Sequence, residues 1–396
     1  MSQAIPVKKR SDISPVFKRL SSLLMIAGVL VCLVGIYGYL QGDLKAGFLS
    51  QSADRLKAAY QASLSTGESM SFLDGALYAV MKFAMVFIIA GSFLILNSVM
   101  MRIQNRERYK DFLCLQPALV LLVIFVYYPV LDMLRISFTN WNLLKEDYHF
   151  VGLKNYQWLF TGTGWRYFSN SLRITAVYTF WEVFVSLAGG ILLAMLFNRM
   201  TSTYNALRAL VFMPKYIATS TSAIIFIWIL NGDYGILNYI LRLFGINGPN
   251  WLNNASTALT GILFLTVWRV VGYAMMIYLS AMKGIPQEYY EAAAIDGADG
   301  MHRFRFITMP LLAPTTLFLF VTTFISSMKV FQSVDVMTGG GPYNSTMVMV
   351  QWIYNLAFEN FRVDRASVVS VMFFLILMVC TIVTMRYSHN NVHYEL

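Results

Sequence analysis

Stretches of about 20 consecutive apolar residues recur along this chain, and that is the length one helix needs to cross the hydrocarbon core of a bilayer. Eight such runs are found, at about 20–40, 76–101, 112–136, 171–197, 207–230, 259–281, 311–329 and 365–386. With 57% hydrophobic and 13% charged residues over 396 positions, the chain is far too apolar for a soluble domain, in which roughly a quarter of residues are charged. Eight tryptophans and 23 tyrosines suit a protein that meets membrane–water interfaces many times. The expected fold is an all-α integral membrane protein of about eight transmembrane helices.

The net charge of +10 is not gathered on one surface, which argues against a nucleic-acid partner. Basic residues sit instead at the ends of apolar runs and read as topology signals. Lys8, Lys9, Arg10, Lys18 and Arg19 precede the first run, and Arg102, Arg106, Arg108 and Lys110 follow the second. The positive-inside rule makes both segments cytoplasmic, and an even number of spans puts both termini there. Alternation then places 198–206, 282–310 and the C-terminal tail inside, with 41–75, 137–170, 231–258 and 330–364 outside. Asp43, Asp54, Glu146, Asp147, Asp233, Asp335 and Glu359 collect on that outer side. The first run ends in Tyr37-Gly-Tyr-Leu40 without a small-residue cleavage site, so it reads as a retained anchor and not as a removed signal. Cys32, Cys114 and Cys380 lie singly in apolar runs, and His149, His302, His389 and His393 form no ligand cluster, so no disulfide framework or metal site is expected.

The basic link at 102–110 divides the chain into an N-terminal part, 1–110, with two spans, and a six-span core, 111–396. Pro117, Pro129, Pro214 and Gly189-Gly190 interrupt core runs, which membrane helices tolerate where neighbours re-satisfy the backbone. Residues 235–241 suit a short helix on the outer surface, followed by a turn-rich stretch at 245–254.

The link at 283–310 is more polar and better punctuated than a connector requires. Pro286 suits a helix start, Glu288 and Glu291 favour its positive end, and Ala292-Ala-Ala294 combines high helix propensity with little bulk. Asp296-Gly297 ends the helix, because glycine accepts the left-handed conformation of a helix stop. A second helical element is expected over 301–308, with Pro310 opening the next span. A helix face of small residues permits close docking of a partner; an amphipathic loop resting on headgroups is the plainer alternative.

Glu291-Ala-Ala-Ala-Ile-Asp296-Gly297-Ala298, followed by Ile307-Thr-Met-Pro310, resembles the EAA motif of binding-protein-dependent ABC importer permeases. The one departure is Met309 where the motif has leucine, a volume-conserving change. The resemblance implies that Glu291, Ala292, Ala293, Asp296, Gly297, Ile307 and Pro310 belong to a coupling helix seated on a separate ATPase. The chain has no G-x-x-x-x-G-K-S/T loop, so ATP and Mg are expected in that partner and no cofactor in this chain. The implied assembly has a second permease subunit, in a heterodimer, two ATPase copies and an external solute-binding protein, in the cytoplasmic membrane of a prokaryote. This chain is then a transport subunit and not an enzyme.

Further stretches are similar to the carbohydrate-uptake branch: Ser137-Phe-Thr-Asn-Trp-Asn142, Phe150-Val-Gly-Leu-Lys-Asn-Tyr156 and the outer loop Thr338-Gly-Gly-Gly-Pro342. The two extra N-terminal spans resemble those of the larger, eight-span permease subunit of maltose transporters, without the large outer insertion after the third span. The resemblance implies import of a sugar, oligosaccharide or glycoside, the alternative being a non-sugar solute such as a glycerol phosphate diester or a polyamine.

Ionisable residues inside spans are costly and mark candidate paths. Arg269 lies near the middle of the sixth run and Glu182 near the middle of the fourth, either on the path or as a structural ion pair. Tyr273, with Thr323 and Ser327, occupies positions similar to the sugar-contacting part of the maltose subunit. A ring stacked on a sugar face with nearby hydroxyls suits a neutral sugar, whereas a charged Arg269 would admit an acidic glycoside or a glycerol phosphate. Helix packing is the plain alternative for Thr323 and Ser327. A membrane enzyme would call for paired carboxylates or a histidine–metal set within the spans, and a self-sufficient secondary transporter would have no use for an ATPase-coupling loop.

Overall fold

The computed structural model describes residues 15–43, 84–103, 106–144, 148–198 and 201–391, with side chains described for 21–36, 90–99, 114–144, 148–198 and 201–386. Lys8, Lys9, Arg10, Asp54, Glu146, Asp147 and His393 lie outside the described residues, as does most of the 41–75 loop. The described parts of the apolar runs are mainly helical, and the chain forms two compact units, Met1–Asp132 and Met133–Leu396.

In the first unit, α1 (Pro15–Asp43) packs along α2 (Ala84–Ile103). Lipid tails are as apolar as the helices, so association depends on close approach, and Gly28 and Gly91 supply it. A Cβ built on Gly91 would stand 2.6 Å from the Gly28 carbonyl oxygen. The Ser98 hydroxyl donates to the Ser21 carbonyl at 2.6 Å, tying the other end of the same antiparallel seam. The basic link does not stay a loop. Helix α3 (Arg106–Leu122) rises directly from it, passes a wide turn at Val123–Tyr127 and continues as α4 (Tyr128–Ile136). Pro129 explains the wide turn: it has no N–H for the carbonyl four residues earlier, and a five-residue ring closes instead from Tyr128 N–H to the Val123 carbonyl. The compact units divide inside α4, whereas the sequence organisation suggests 110/111.

The second unit is organised by α6 (Gly164–Leu196) and α10 (Ala258–Lys283), which pack along each other, with α14 (Ala313–Met328) against α6. Short α15 (Gln332–Thr338) and α16 (Met349–Tyr354) lead to the long α17 (Val363–Asn391), which with short α5 (Lys154–Thr161) closes one flank. The two sugar-branch stretches pair with each other: Thr139 and Phe150 form an antiparallel bridge, and the Asn155 amide donates to the Ser137 and Thr139 carbonyls at 3.0 and 2.6 Å. Three buried clusters run along α6, around Phe168 and Trp352, around Tyr178 and Leu265, and around Ala194 and Met275. At the last of these a Cβ on Gly190 would stand 2.6 Å from the Ala274 Cβ, so the Gly189-Gly190 pair serves close packing.

Two expected spans are not straight. The 207–230 run is α7 (Ser202–Phe212), a tight turn at Met213–Tyr216 and α8 (Thr219–Ile229), bent by 104°. Extended backbone at Ile217 and Ala218, with ψ of 134° and 138°, makes the break. The 311–329 run begins two residues late, as α14, and meets the preceding segment Gly300–Leu311 at 63°. Among the described residues, four helices are long and apolar enough to cross a membrane, and the two bent pairs raise the number to six. The predicted outer helix is present as α9 (Ile236–Leu243), with Asn238 buried and Tyr239 and Leu243 exposed.

Candidate functional site

The 283–310 loop folds as the sequence suggests in its first half. Pro286 stands just before α11 (Gln287–Ile295), with Glu288 in the first turn and no residue of the helix buried. Asp296 caps the end and Gly297 follows with φ of +79°. Ala298 N–H donates to the Ala293 carbonyl at 2.9 Å and Gly297 N–H to that of Ala294 at 3.2 Å, the paired bonds of a Schellman stop. Glu291 and Ala292 face solvent, Ala293 is half-buried, and Ile295 is 88% exposed.

The second half departs from the single helix expected over 301–308. It is a short α12 (Gly300–Arg303), a wide turn at Phe304–Thr308 and α13 (Met309–Leu311). Pro310 does not open the span; it forces the wide turn as Pro129 does, and Met309 N–H reaches back to the Phe304 carbonyl. Asp299 caps α12, accepting from the His302 N–H at 2.8 Å, with the His302 ring at 2.9 Å. These contacts hold the Asp299 carboxyl below the usual aspartate range. Sequence reasoning missed the brace between the halves, a 3.0 Å hydrogen bond joining the Tyr290 and Thr308 hydroxyls. Ile307 is half-buried, while Met301 and Phe306, like Ile295, are largely exposed, at 70% and 67%. The loop thus presents a braced, small-residue helix followed by exposed apolar side chains.

The second constellation lies midway along the spans. Arg269 and Glu182 do not form the ion pair allowed from sequence; among the described residues no salt bridge joins them. The Arg269 guanidinium is instead committed to the bend, donating to the Thr219 hydroxyl at 2.6 Å and to the Ile217 carbonyl at 3.0 Å. That carbonyl belongs to the extended residues where the helix ladder stops, so it would otherwise lack an intrahelical donor. Glu182 is buried beside the Tyr178 and Ser327 side chains, with one carboxyl oxygen lacking a hydrogen-bond partner. Thr323 and Ser327 are buried against neighbouring helices, and the Ser327 hydroxyl donates back to the Thr323 carbonyl at 2.7 Å. Tyr273 is half-buried, and its ring carries the Lys215 ammonium 5.1 Å from its centroid. Lys215 was overlooked in the sequence, although an ionisable residue after Pro214 inside an apolar run is the signal that should mark it.

At the 338–346 loop, the Thr338 and Thr346 hydroxyls share a 2.8 Å hydrogen bond and Thr346 also donates to the Gly341 carbonyl at 2.7 Å. This frame holds Tyr343 out, 96% exposed.

Residues 186–391, which contain the 283–310 loop and Arg269, match the family described as binding-protein-dependent transport system inner membrane component. Among curated relatives, the chain is 30% identical to the probable ABC transporter permease protein YurN of Bacillus subtilis, over 72% of this chain and 97% of that one. It is 30% identical to the trehalose/maltose transport system permease protein MalF of Thermococcus litoralis, over 73% and 97% of the two chains. It is also 30% identical to the sn-glycerol-3-phosphate transport system permease protein UgpA of Agrobacterium fabrum, over 72% and 96%. In fold it resembles a chain of a bacterial ABC transporter involved in the import of alginate, with a TM-score of 0.64 at 21% identity, covering 73% of this chain and 98% of that one. The chain belongs to the binding-protein-dependent ABC transport permeases, inner-membrane components of the carbohydrate-uptake type.

Proposed function

We propose that this chain is the permease subunit of an importer that takes a sugar, oligosaccharide or glycoside from an external binding protein and passes it into the cytoplasm. ATP hydrolysis, with Mg, belongs to two copies of a partner ATPase, and a second permease completes the membrane path. The observation that carries this reading is the 283–310 loop: a helix with no buried residue, closed by a left-handed glycine and edged by Ile295, Met301 and Phe306. Exposed apolar groups on a rigid frame fit a protein partner better than solvent. Glu291, Ala292, Ala293, Asp296, Gly297, Ile307 and Pro310 form the coupling element in this reading. It places the loop in the cytoplasm with both termini, gives eight spans, and puts Tyr343 on the outer side toward the binding protein. Relatives named for trehalose/maltose and multiple sugars support the solute class.

The test is co-purification of the tagged chain from its native membrane, followed by ATPase assay in proteoliposomes. An ATPase, a second permease and a binding protein are expected to accompany it, and the solute-loaded binding protein to raise hydrolysis. A chain that purifies without an ATPase, or whose ATPase ignores every loaded binding protein, overturns the proposal.

A further inference from the structure

We infer that Lys215, held over the Tyr273 ring at the break of a bent span, takes the anionic group, a carboxylate or a phosphate, of the carbohydrate that this permease moves. The inference rests on the import reading above and adds the charge of the solute to it.

Depth comes first. The Met213–Tyr216 turn joins two helices of 11 residues each, α7 and α8. Because the pair is bent by 104°, its depth is read from α10 instead: Arg269, which holds the break, and Tyr273, which carries Lys215, both lie near the middle of that 26-residue helix. Lys215 therefore stands near the middle of the bilayer, level with the central parts of α6 and α10 that carry Glu182 and Arg269. Its side chain is exposed, as are Met213 and Tyr216 on either side. An ammonium group is expelled from hydrocarbon, and backbone that leaves the helix at this depth persists only inside protein or along a hydrated cavity. The exposed face of the turn is accordingly a wall of the path.

The neighbouring charges decide what that wall attracts. Among the described residues, Arg269 and Glu182 are the charged groups that act on Lys215. Arg269 cannot turn to a solute without releasing Ile217 and Thr219, so its positive charge is a fixed background. Glu182 is buried beside Tyr178 and Ser327, and no ion pair joins it to Lys215 among the described residues. Two cations against one sequestered carboxyl leave the site positive, which repels a polyamine. The ammonium rests on the Tyr273 face, an arrangement that holds a cation without neutralising it. A sugar that displaces it and stacks on the same ring brings an acidic substituent within reach of the amine. A neutral sugar would leave that amine unpaired.

The experiment uses the assembled importer with its own binding protein in proteoliposomes and three radiolabelled probes: maltotriose, a uronate trisaccharide and sn-glycerol-3-phosphate. An anionic probe is expected to be imported, and Lys215→Gln to cut its import by about tenfold or more, the worth of one charge-assisted hydrogen bond, while Lys215→Arg keeps most of it. Import of maltotriose alone, or anionic import undiminished in Lys215→Gln, overturns the inference and leaves the importer reading standing. Lys215→Cys provides a measure independent of solute: in the assembled complex it should react with a membrane-impermeant sulfonated thiol reagent. A shielded cysteine, or a Lys215→Gln complex that no longer assembles, would place the amine against the second permease and overturn the inference. A wild-type complex whose ATPase no loaded binding protein stimulates overturns the importer reading, and this inference with it.

Discussion

Gly297 has open space around its α-carbon, so only backbone torsion opposes a side chain there. A β-branched residue in the left-handed region costs of the order of 1–3 kcal/mol, enough to redirect the Schellman stop but not to unfold a membrane protein. Gly297→Val is expected to insert and express normally while losing solute uptake, whereas Gly297→Asn keeps most of it. Uptake assays on matched membrane levels decide, and normal transport by Gly297→Val would sink the coupling role. For Arg269 the geometry predicts no rescue: Arg269→Gln loses charged hydrogen bonds to Ile217 and Thr219, about 2–4 kcal/mol together, and adding Glu182→Gln restores none of it. Thermal unfolding of the purified complex tests this, and a double variant more stable than Arg269→Gln would show a hidden ion pair. Gly297 was legible in the sequence because its conformation demands its identity. The partners of Arg269 and the burial of Thr323 and Ser327 were not, because residue type and depth do not say which face of a helix meets a neighbour, and a carbonyl freed by a bend leaves no mark in the sequence.

Helices themselves were easier to read than their shapes. Each of the eight apolar runs is mainly helix in its described part, with extended Ile217 and Ala218 the chief interruption, since a bilayer leaves the backbone few other ways to satisfy its polar groups. Hydropathy is blind to bending, however, and the 104° break in 207–230 has the same composition as a straight span. Pro214 marked the spot without giving the angle. Close packing fixes that angle from outside: a Cβ on Gly272 of α10 would overlap the Val211 carbonyl oxygen of α7. Gly272→Leu is therefore expected to push α7 off α10 and lower the yield of folded complex in size-exclusion profiles, while Gly284→Ala, with the Ala281 carbonyl 3.3 Å from an added Cβ, is tolerated. In the loop, Asp299 caps α12 as a carboxylate whose pKa is depressed by the His302 N–H and ring. A depressed carboxyl stabilises the fold above its unfolded pKa, about 4, and loses that contribution as pH falls through the lower folded value. Amide exchange at His302 should accelerate relative to the rest of the loop when pH drops below about 4, and Asp299→Ala should abolish the pH dependence.

Across the whole molecule, the placement of basic residues predicts the orientation, and labelling checks it. Single cysteines at Arg106 and Asp296 should be shielded in intact spheroplasts, and those at Asn155 and Asn344 should react with an impermeant thiol reagent. Asn155 is buried under its own hydrogen bonds, so the exposed Asn344, whose backbone carbonyl accepts from the Asn170 amide and the Met347 N–H, is the cleaner reporter. If Asp296 and Asn344 label from the same side, the span count is wrong. The bend at Ile217 also bears on how the chain is made. Its clamp, Arg269, is translated 52 residues after the carbonyl it holds. When α7 and α8 first meet lipid, the donor that holds their bend has not yet joined them in the membrane. Nascent chains halted before Arg269 should therefore carry this region in a different arrangement from the finished protein, and the polar turn is sealed only when the translocon delivers α10 beside it.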